Sequence, residues 1–423
     1  MNEEKYLDNI KAGFIWNSIA GIINAAEAVI ILMVVTRING IEMAGIVTIA
    51  FSVGNLAMTI GKYGVRNFQV TDINHTFSFN DYFSSRIITV FIMFALTIMY
   101  LLYADICLDY SWHKSVVVFL VSVIYMIESL EDVFWGDYQK HGRLDLGGKI
   151  FSMRWLIQLT IIVGVLFISK DIIIALFIAC VCGAVFTYLY NKNIHVNFQK
   201  EKISFNRENV FSILLSCFPL FLTIFLSNYI INSPKYAIDA LLDEKSQACY
   251  GFVAMPVFVV ALLSNFFYQP ILLDLANIWE NRDILNLSKM IKKQCVLIIG
   301  LTILCVVGAY FLGIPFLNIL YSTNLYAQKK ELLILLCGGG FFAMGSLCIV
   351  IMTTLRIQRK AIFVYIVVAI LTFCFSGIIV KFYGITGAAY LYTAMEALTS
   401  FMLWCFTIFY IKSESNKNKL IEG

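Results

Sequence analysis

Charge is what this sequence has least of. Of its 423 residues only 14% are Asp, Glu, Lys or Arg, against ~25% in an ordinary soluble protein. Hydrophobic residues make up 60% of the chain and the mean hydropathy is +0.82. A soluble core cannot hide that much apolar surface, so lipid must be the solvent for most of the molecule. The net charge of +4 is too small to point to nucleic acid. Histidine is equally scarce: the four, at 75, 113, 141 and 195, lie in loops, which leaves acyl transfer and intramembrane proteolysis without a histidine inside a span. Eleven cysteines are scattered through apolar runs, as around Cys217, Cys305 and Cys374. Apart from Cys180 and Cys182 they stand singly and there is no CxxC, so they read as buried hydrophobes, with no disulfide framework and no metal site. No GxxxxGK[ST] loop occurs and no stretch is left for an ATPase domain.

What remains is a succession of apolar runs of the length that spans a bilayer, roughly 20 residues. They fall near 12–36, 43–61, 86–104, 114–135, 150–168 and 171–190, then near 210–233, 248–273, 291–312, 331–355, 361–380 and 385–411. The first is too long for a signal peptide and lacks a basic leader, so it is expected to be retained. Twelve spans put both termini on one side. Of the 31 Lys and Arg, 23 belong to the termini and even-numbered connections, Arg86 and Arg154 among them. The other 8 are Arg37, Lys114, Lys170, Lys235, Lys245, Lys329, Lys330 and Lys381. By the positive-inside rule both termini are cytoplasmic. Trp112, Trp135 and Trp279 fall at predicted helix ends, where interfacial anchors belong.

The longest polar mid-chain connection, 191–209, divides the chain into two six-helix lobes, 1–200 and 201–423. Sliding one half over the other by 206 positions brings Ala44 and Gly45 near Ala248 and Gly251, a faint similarity that suggests duplication. Parallel repeats with a substrate path between the halves are a common transporter plan. All five prolines lie in the second half; Pro219 and Pro256 fall inside the seventh and eighth spans as either hinges or static kinks.

Acidic residues inside spans are costly, roughly 2.5–3.5 kcal/mol each, and turn toward protein or water. Glu27 sits mid-way along the first span on a stripe with Asn17, Ala20 and Asn24, a face suited to lining a cavity. Two roles are open to it: a carboxylate that carries a proton, or a protonated packing partner. Glu396, with Thr393 and Ser400 on its face, presents the same choice more weakly. Glu128 and Asp132, one turn apart with Glu131 beside them, are either an inner gate pairing with Arg66 or Arg143, or solvated interface residues. Tyr229, Tyr236 and Tyr250 offer aromatic stacking surfaces, although an interfacial belt accounts for most of the 22 tyrosines.

Several stretches carry a family likeness: GKYGVRNFQVTD (61–72), IESLEDVFWGDYQKHGRLDLGGK (127–149), SNYIINSPKYAID (227–239) and YGFVAMPVFVVALLSNFFYQPIL (250–272), with TRINGIEMAG (36–45) and IPFLNILYS (314–322). In this order they resemble the Wzx-type flippases of polysaccharide repeat units, in the exporter superfamily that also holds the multidrug and toxin extrusion (MATE) transporters. The resemblance implies an all-α, twelve-helix, two-lobed MATE-like protein around a central cavity. It also implies passage of undecaprenyl-diphosphate-linked oligosaccharide from the cytoplasmic to the outer leaflet of the bacterial inner membrane, for O-antigen or capsule, by alternating access. Arg37, Arg66 and Lys235 are the cations it carries over for the diphosphate, with Asn24 and Tyr236 beside the substrate; Arg66 next to Lys62 also fits a plain interfacial anchor. Glu27 and Glu396 are the candidates for H+ or Na+ coupling, and no cofactor is implied. Partners are the lipid-linked oligosaccharide, the bilayer, and a polysaccharide polymerase and chain-length regulator.

Two other readings compete. A drug or metabolite exporter on the same architecture would have a more acidic cavity. A membrane polymerase or glycosyltransferase would need catalytic groups in a large outer loop, and the outer loops here are about twenty residues at most; the chain is therefore expected not to be an enzyme.

Overall fold

The structure, a computed structural model, describes residues 3–72, 76–195, 205–268, 271–281 and 283–422, and every regular element among them is helical. The lobe boundary expected at 200/201, His75 and Pro270 lie outside the described residues. Two compact units emerge, Met1–Phe225 and Leu226–Gly423.

Unit 1 holds α1 (Glu3–Asn39), α2 (Ile41–Lys62), the short α3 (Val65–Thr71), α4 (Phe79–Cys107), α5 (Trp112–Lys140), α6 (Leu144–Ser169) and α7 (Ile172–His195), with the first part of α8 (Arg207–Leu241). Connections of a few residues make successive long helices antiparallel. α1 packs on α6, α2 on α5, α4 on both α2 and α5, and α7 on α5 and α6, so α5 is enclosed by protein. That position explains how a helix bearing Glu128, Glu131, Asp132 and Asp137, all buried, stays in the bundle: none of these acids faces lipid. α4 shows the opposite pattern, with Phe91 and Met99 more than 60% exposed on its outer face, the surface acyl chains require. α1 and α6 approach closely because Gly148 has no side chain; a Cβ there would lie 2.8 Å from the Trp16 backbone.

Unit 2 holds the rest of α8, then α9 (Glu244–Ala254), α10 (Val257–Tyr268), α11 (Leu272–Glu280), α12 (Ile284–Gly308), α13 (Ile314–Tyr321), α14 (Lys329–Thr354) and α15 (Ala361–Glu422). α14 is its centre, packed by α9, α10, α11, α12 and α15. The prolines act differently by context. Pro256 splits the eighth span into α9 and α10, whereas α8 runs unbroken through Pro219 and Pro234. Ahead of Pro315, which cannot donate a backbone bond, a five-residue π turn (Ala309–Gly313) links α12 to α13 and keeps the ninth span continuous. α15 is two helices meeting at Gly384, where φ 56 and ψ −138 turn the chain through a conformation that only glycine adopts without strain.

Among the described residues ten stretches are long and apolar enough to cross a membrane, one of them Gln358–Ser413, which contains both limbs of α15. Counting those limbs separately and adding the enclosed α5 gives the twelve spans read from the sequence.

Asp72 closes the turn between α3 and α4. Its carboxylate accepts from the backbone N–H groups of Thr76 (2.9 Å) and Phe77 (3.2 Å), the Tyr82 hydroxyl (2.9 Å) and the Lys140 ammonium (3.3 Å). Burial opposes ionisation, but these bonds together outweigh it and hold the carboxyl well below the usual carboxylate range. A folded pKa below the unfolded one stabilises above the unfolded value and loses that contribution as pH falls toward the folded value. The thermal midpoint of wild type is therefore expected to exceed that of Asp72→Asn by a constant margin from pH 5 to 8 and to converge on it below about pH 4. A margin independent of pH would show that the carboxylate charge is not what closes this turn.

Candidate functional site

The charged residues of unit 1 form a buried network across four helices. Arg154 of α6, with no exposed surface, donates from Nε to Glu131 Oε2 (2.7 Å), from Nη1 to Gln158 Oε1 (2.6 Å) and from Nη2 to Glu128 Oε2 (3.3 Å). The Trp155 indole N–H adds a bond to the same Glu128 oxygen at 3.0 Å, and Lys62 at the end of α2 reaches Glu128 Oε1 at 2.7 Å. Glu27 of α1 joins through Tyr125, whose hydroxyl donates to Glu27 Oε1 at 3.3 Å. Three carboxyls, Glu27, Glu128 and Glu131, thus surround two fixed cations, Arg154 and Lys62. Glu27 Oε2 and Glu131 Oε1 are buried with no hydrogen-bond partner among the described residues. An excess acid with unpaired oxygens in low dielectric is the arrangement that favours binding one proton or cation.

A second cluster adjoins it where α2 ends. The left-handed Tyr63 (φ 48) and Gly64 (φ 69) turn the chain from α2 into α3. Arg86 of α4, also without exposed surface, donates to the Gly61 carbonyl (2.6 Å) and to Asp132 Oδ2 (2.8 Å), and Thr89 donates to the same carbonyl (2.7 Å). Arg86 thereby satisfies a helix-end carbonyl and a buried acid at once. Arg66 of α3 lies at 3.6 Å from the other Asp132 oxygen, donates to Gln139 (2.9 Å) and covers the Trp135 ring at 4.1 Å. It is about a quarter exposed, so it is the accessible cation of this cluster.

The other residues named from the sequence fall as follows. Of the stripe on α1, Glu27 and Ala20 are buried while Asn17 and Asn24 are exposed. Arg37 is exposed in the last turn of α1. In unit 2, Lys235 donates to Asn232 Oδ1 at 3.2 Å, Tyr236 stacks with Tyr229 at 6.3 Å, and Glu396 is 5% exposed within the second limb of α15. Tyr250, considered above as a stacking surface, is instead buried in unit 2. Asp132 meets Arg66, but Arg143 is chelated by Asp145 through two bonds of 2.9 Å, and Glu128 is held by Lys62 and Arg154. Glu128 and Asp132 are not solvated interface residues, since both are buried. Arg86 and Arg154, counted above with the inner connections, lie within α4 and α6 as core ion-pair partners, and Trp135 is less a membrane anchor than a shelf for Arg66.

Sequence reasoning missed Arg154, although the signal was present. Arg154 lies ten residues past the start of α6 and Glu131 nine residues before the end of α5. In an antiparallel pair joined by a short turn, equal distances from the turn, here ~14–15 Å at 1.5 Å per residue, bring those two positions level.

A family described as polysaccharide biosynthesis protein matches residues 10–273, more than half of the chain. The chain belongs to that family. A relative within polysaccharide biosynthesis, the capsular polysaccharide biosynthesis protein CapF of Staphylococcus aureus, is 23% identical over 406 residues, covering 92% of this chain and 98% of its own length. Among solved structures, the lipid II flippase MurJ in an inward closed conformation superposes with a TM-score of 0.73 at 14% identity, covering 94% of this chain and 87% of that one. An inward-facing MATE family multidrug transporter of the MOP superfamily gives 0.71 at 12% identity, covering 94% and 96%. At such identities the likeness speaks for the fold: this member of the polysaccharide biosynthesis family is a multi-pass membrane protein with the MATE and MurJ architecture.

Proposed function

We propose that this protein is a flippase for a polyprenyl-diphosphate-linked oligosaccharide, carrying repeat units of a surface polysaccharide, O-antigen or capsule, from the cytoplasmic to the outer leaflet of the inner membrane by alternating access. The observation that carries the reading is that a chain of the polysaccharide biosynthesis family has the fold of transporters, one of them a lipid II flippase. The lipid tail stays in the bilayer while the anionic head crosses inside the protein. Both termini are cytoplasmic in this reading, so the α2–α3 turn and Arg66 face the side from which substrate arrives. Arg66 is pre-oriented by Trp135 and shares Asp132 with Arg86. A diphosphate can take the Arg66 guanidinium in a bidentate contact while Arg86 keeps Asp132 paired, so loading the substrate opens this gate without stranding a buried charge. Arg37, Lys235, Asn24 and Tyr236 serve the head further along its path, and Glu27 and Glu396 are the coupling acids. Moving about two negative charges outward gains roughly 4–5 kcal/mol per 100 mV of inside-negative potential, so the membrane potential supplies a driving force without nucleotide.

The test reconstitutes the purified protein in vesicles with fluorescent lipid-linked oligosaccharide and follows its sidedness with a membrane-impermeant quencher. Protein-dependent exposure of the inner pool, reduced several-fold by Arg66→Ala, is expected. Movement of an organic cation with no movement of the lipid-linked sugar would assign the protein to drug export instead.

A further inference from the structure

The gate at the α2–α3 turn leaves one buried group unused. Gln69 of α3 is 1% exposed, and neither its Oε1 nor its Nε2 has a hydrogen-bond partner among the described residues. Leaving both ends of a buried amide unbonded carries the desolvation cost of each. Leucine would fill a similar volume without that cost, so the carboxamide calls for a partner that the resting arrangement does not supply.

Its place is set by Gly136. α3 packs along α5, and a Cβ on Gly136 would clash with Gln69 Oε1, lying 2.9 Å from Gln69 Cδ and 3.3 Å from Arg66 Cγ. The carboxamide and the stem of Arg66 therefore press on the same point of α5. Gly136 is four residues after Asp132 and three before Gln139, spacings that put the three on one face of the helix. Arg66 spans that face. Its guanidinium donates to Gln139 Oε1 at 2.9 Å, lies 3.6 Å from Asp132 Oδ1 and rests over the Trp135 ring. The Gln69 amide is thus about one helical turn from the acceptor that Arg66 now holds. Of the two side chains Arg66 is the one a ligand can reach, being about a quarter exposed.

We propose that Gln69 is a positioning residue for head-group loading: when Arg66 leaves α5 for the diphosphate, the Gln69 carboxamide turns to Gln139 and takes over the bond that Arg66 gives up. The inference rests on the flippase reading for what draws Arg66 away, and on the geometry alone for the exchange. Two carboxamides can pair reciprocally, each Nε2–H donating to the other's Oε1, so one new contact satisfies both unbonded atoms of Gln69. The exchange eases opening from both ends. The closed gate carries an unbonded amide, and the open gate recovers it while α3 stays fastened to α5. Asp132 needs no such replacement, because Arg86 holds its other oxygen at 2.8 Å.

A double-mutant cycle of thermal midpoints on the full-length protein in detergent tests the exchange without substrate, so its failure is distinguishable from failure of the flippase reading. Arg66→Met removes the guanidinium but keeps a stem over the amide, leaving Gln69 to bond Gln139. Gln69→Leu alone is expected to leave the midpoint at or above that of wild type, since it deletes an unbonded group. In the Arg66→Met background the same substitution is expected to lower the midpoint by roughly 2–4 °C, since there it breaks the new pair. A side chain that only packs would give the same change in both backgrounds, and that result would overturn the proposal. Should Gln69→Leu with Arg66→Met fail to fold, Gln69→Met takes its place in the cycle. In the vesicle assay Gln69→Leu is expected to slow transport about fivefold, the effect of one neutral hydrogen bond; transport at the wild-type rate would also overturn the role of Gln69.

Discussion

Replacing Arg154 by methionine is expected to destabilise the protein by about 3–5 kcal/mol, the range found when one partner of a buried ion pair is removed. Methionine keeps much of the side-chain volume, so the loss is not one of packing. What disappears is the partner of Glu131 and one of the two cations on Glu128. Glu131 already has one buried oxygen without a partner, and α5 is enclosed by other helices, so water cannot readily take the place of the guanidinium. Arg154→Lys keeps the charge but not the planar fork that reaches Glu131, Gln158 and Glu128 together, and it should fall between wild type and methionine. The decisive comparison is the double variant Arg154→Met with Glu131→Gln. If an uncompensated charge is the cause, removing both members recovers a large part of the loss; if the double variant is as unstable as the sum of its parts, Arg154 matters for packing alone. Thermal unfolding of the purified protein measures wild type, the two Arg154 variants, Glu131→Gln and the double variant.

The spans and their order could be read before any coordinates because a bilayer imposes one length on every helix, and even the enclosed α5 revealed itself through the alternation of basic connections. Pro256 and Pro219 read alike from the sequence, each inside an apolar run, and only Pro256 breaks its helix. Whether a helix absorbs a proline depends on its neighbours. The pairing of charges was harder. Counting basic residues by side of the membrane treats Arg86 and Arg154 as surface anchors, whereas their surroundings are set by helix contacts: Arg86 meets Asp132 and the Gly61 carbonyl because α4 packs on both α2 and α5. The α5–α6 register would have paired Glu131 with Arg154 from sequence alone; the approach of Lys62 to Glu128, 66 residues away on non-consecutive helices, could not be read from spacing. Glu27 was placed inside protein on cost and on its stripe with Asn17, Ala20 and Asn24; burial at 3% agrees with the cost, the exposure of Asn17 and Asn24 does not follow the stripe, and nothing in one sequence says that Tyr125 would be its hydrogen-bond donor.

Glu27→Gln is expected to leave the protein folded and inserted at wild-type level while lowering export of lipid-linked oligosaccharide by at least tenfold. The amide has the shape of the carboxyl and still accepts from the Tyr125 hydroxyl, which reaches Glu27 at 3.3 Å; what it cannot do is change charge. If Glu27 alternates between charged and neutral forms during the cycle, each change alters its interaction with Lys62, Arg154 and Glu128. For unit charges ~8 Å apart at an effective dielectric of ~20 that interaction is about 2 kcal/mol, more than the ~1.4 kcal/mol that separates rates by a factor of ten. A residue frozen in the neutral form therefore holds the network in one of its states and stalls the transition between them. Were Glu27 only a protonated packing group, glutamine would reproduce both its bonding and its charge, and export would be unchanged. Tyr125→Phe separates the two further: it removes the hydrogen bond but not the titratable charge, and should reduce export less than Glu27→Gln does. Surface polysaccharide in a complemented deletion strain, normalised to membrane protein level, reads both variants, and full export with Glu27→Gln would remove Glu27 from the coupling mechanism.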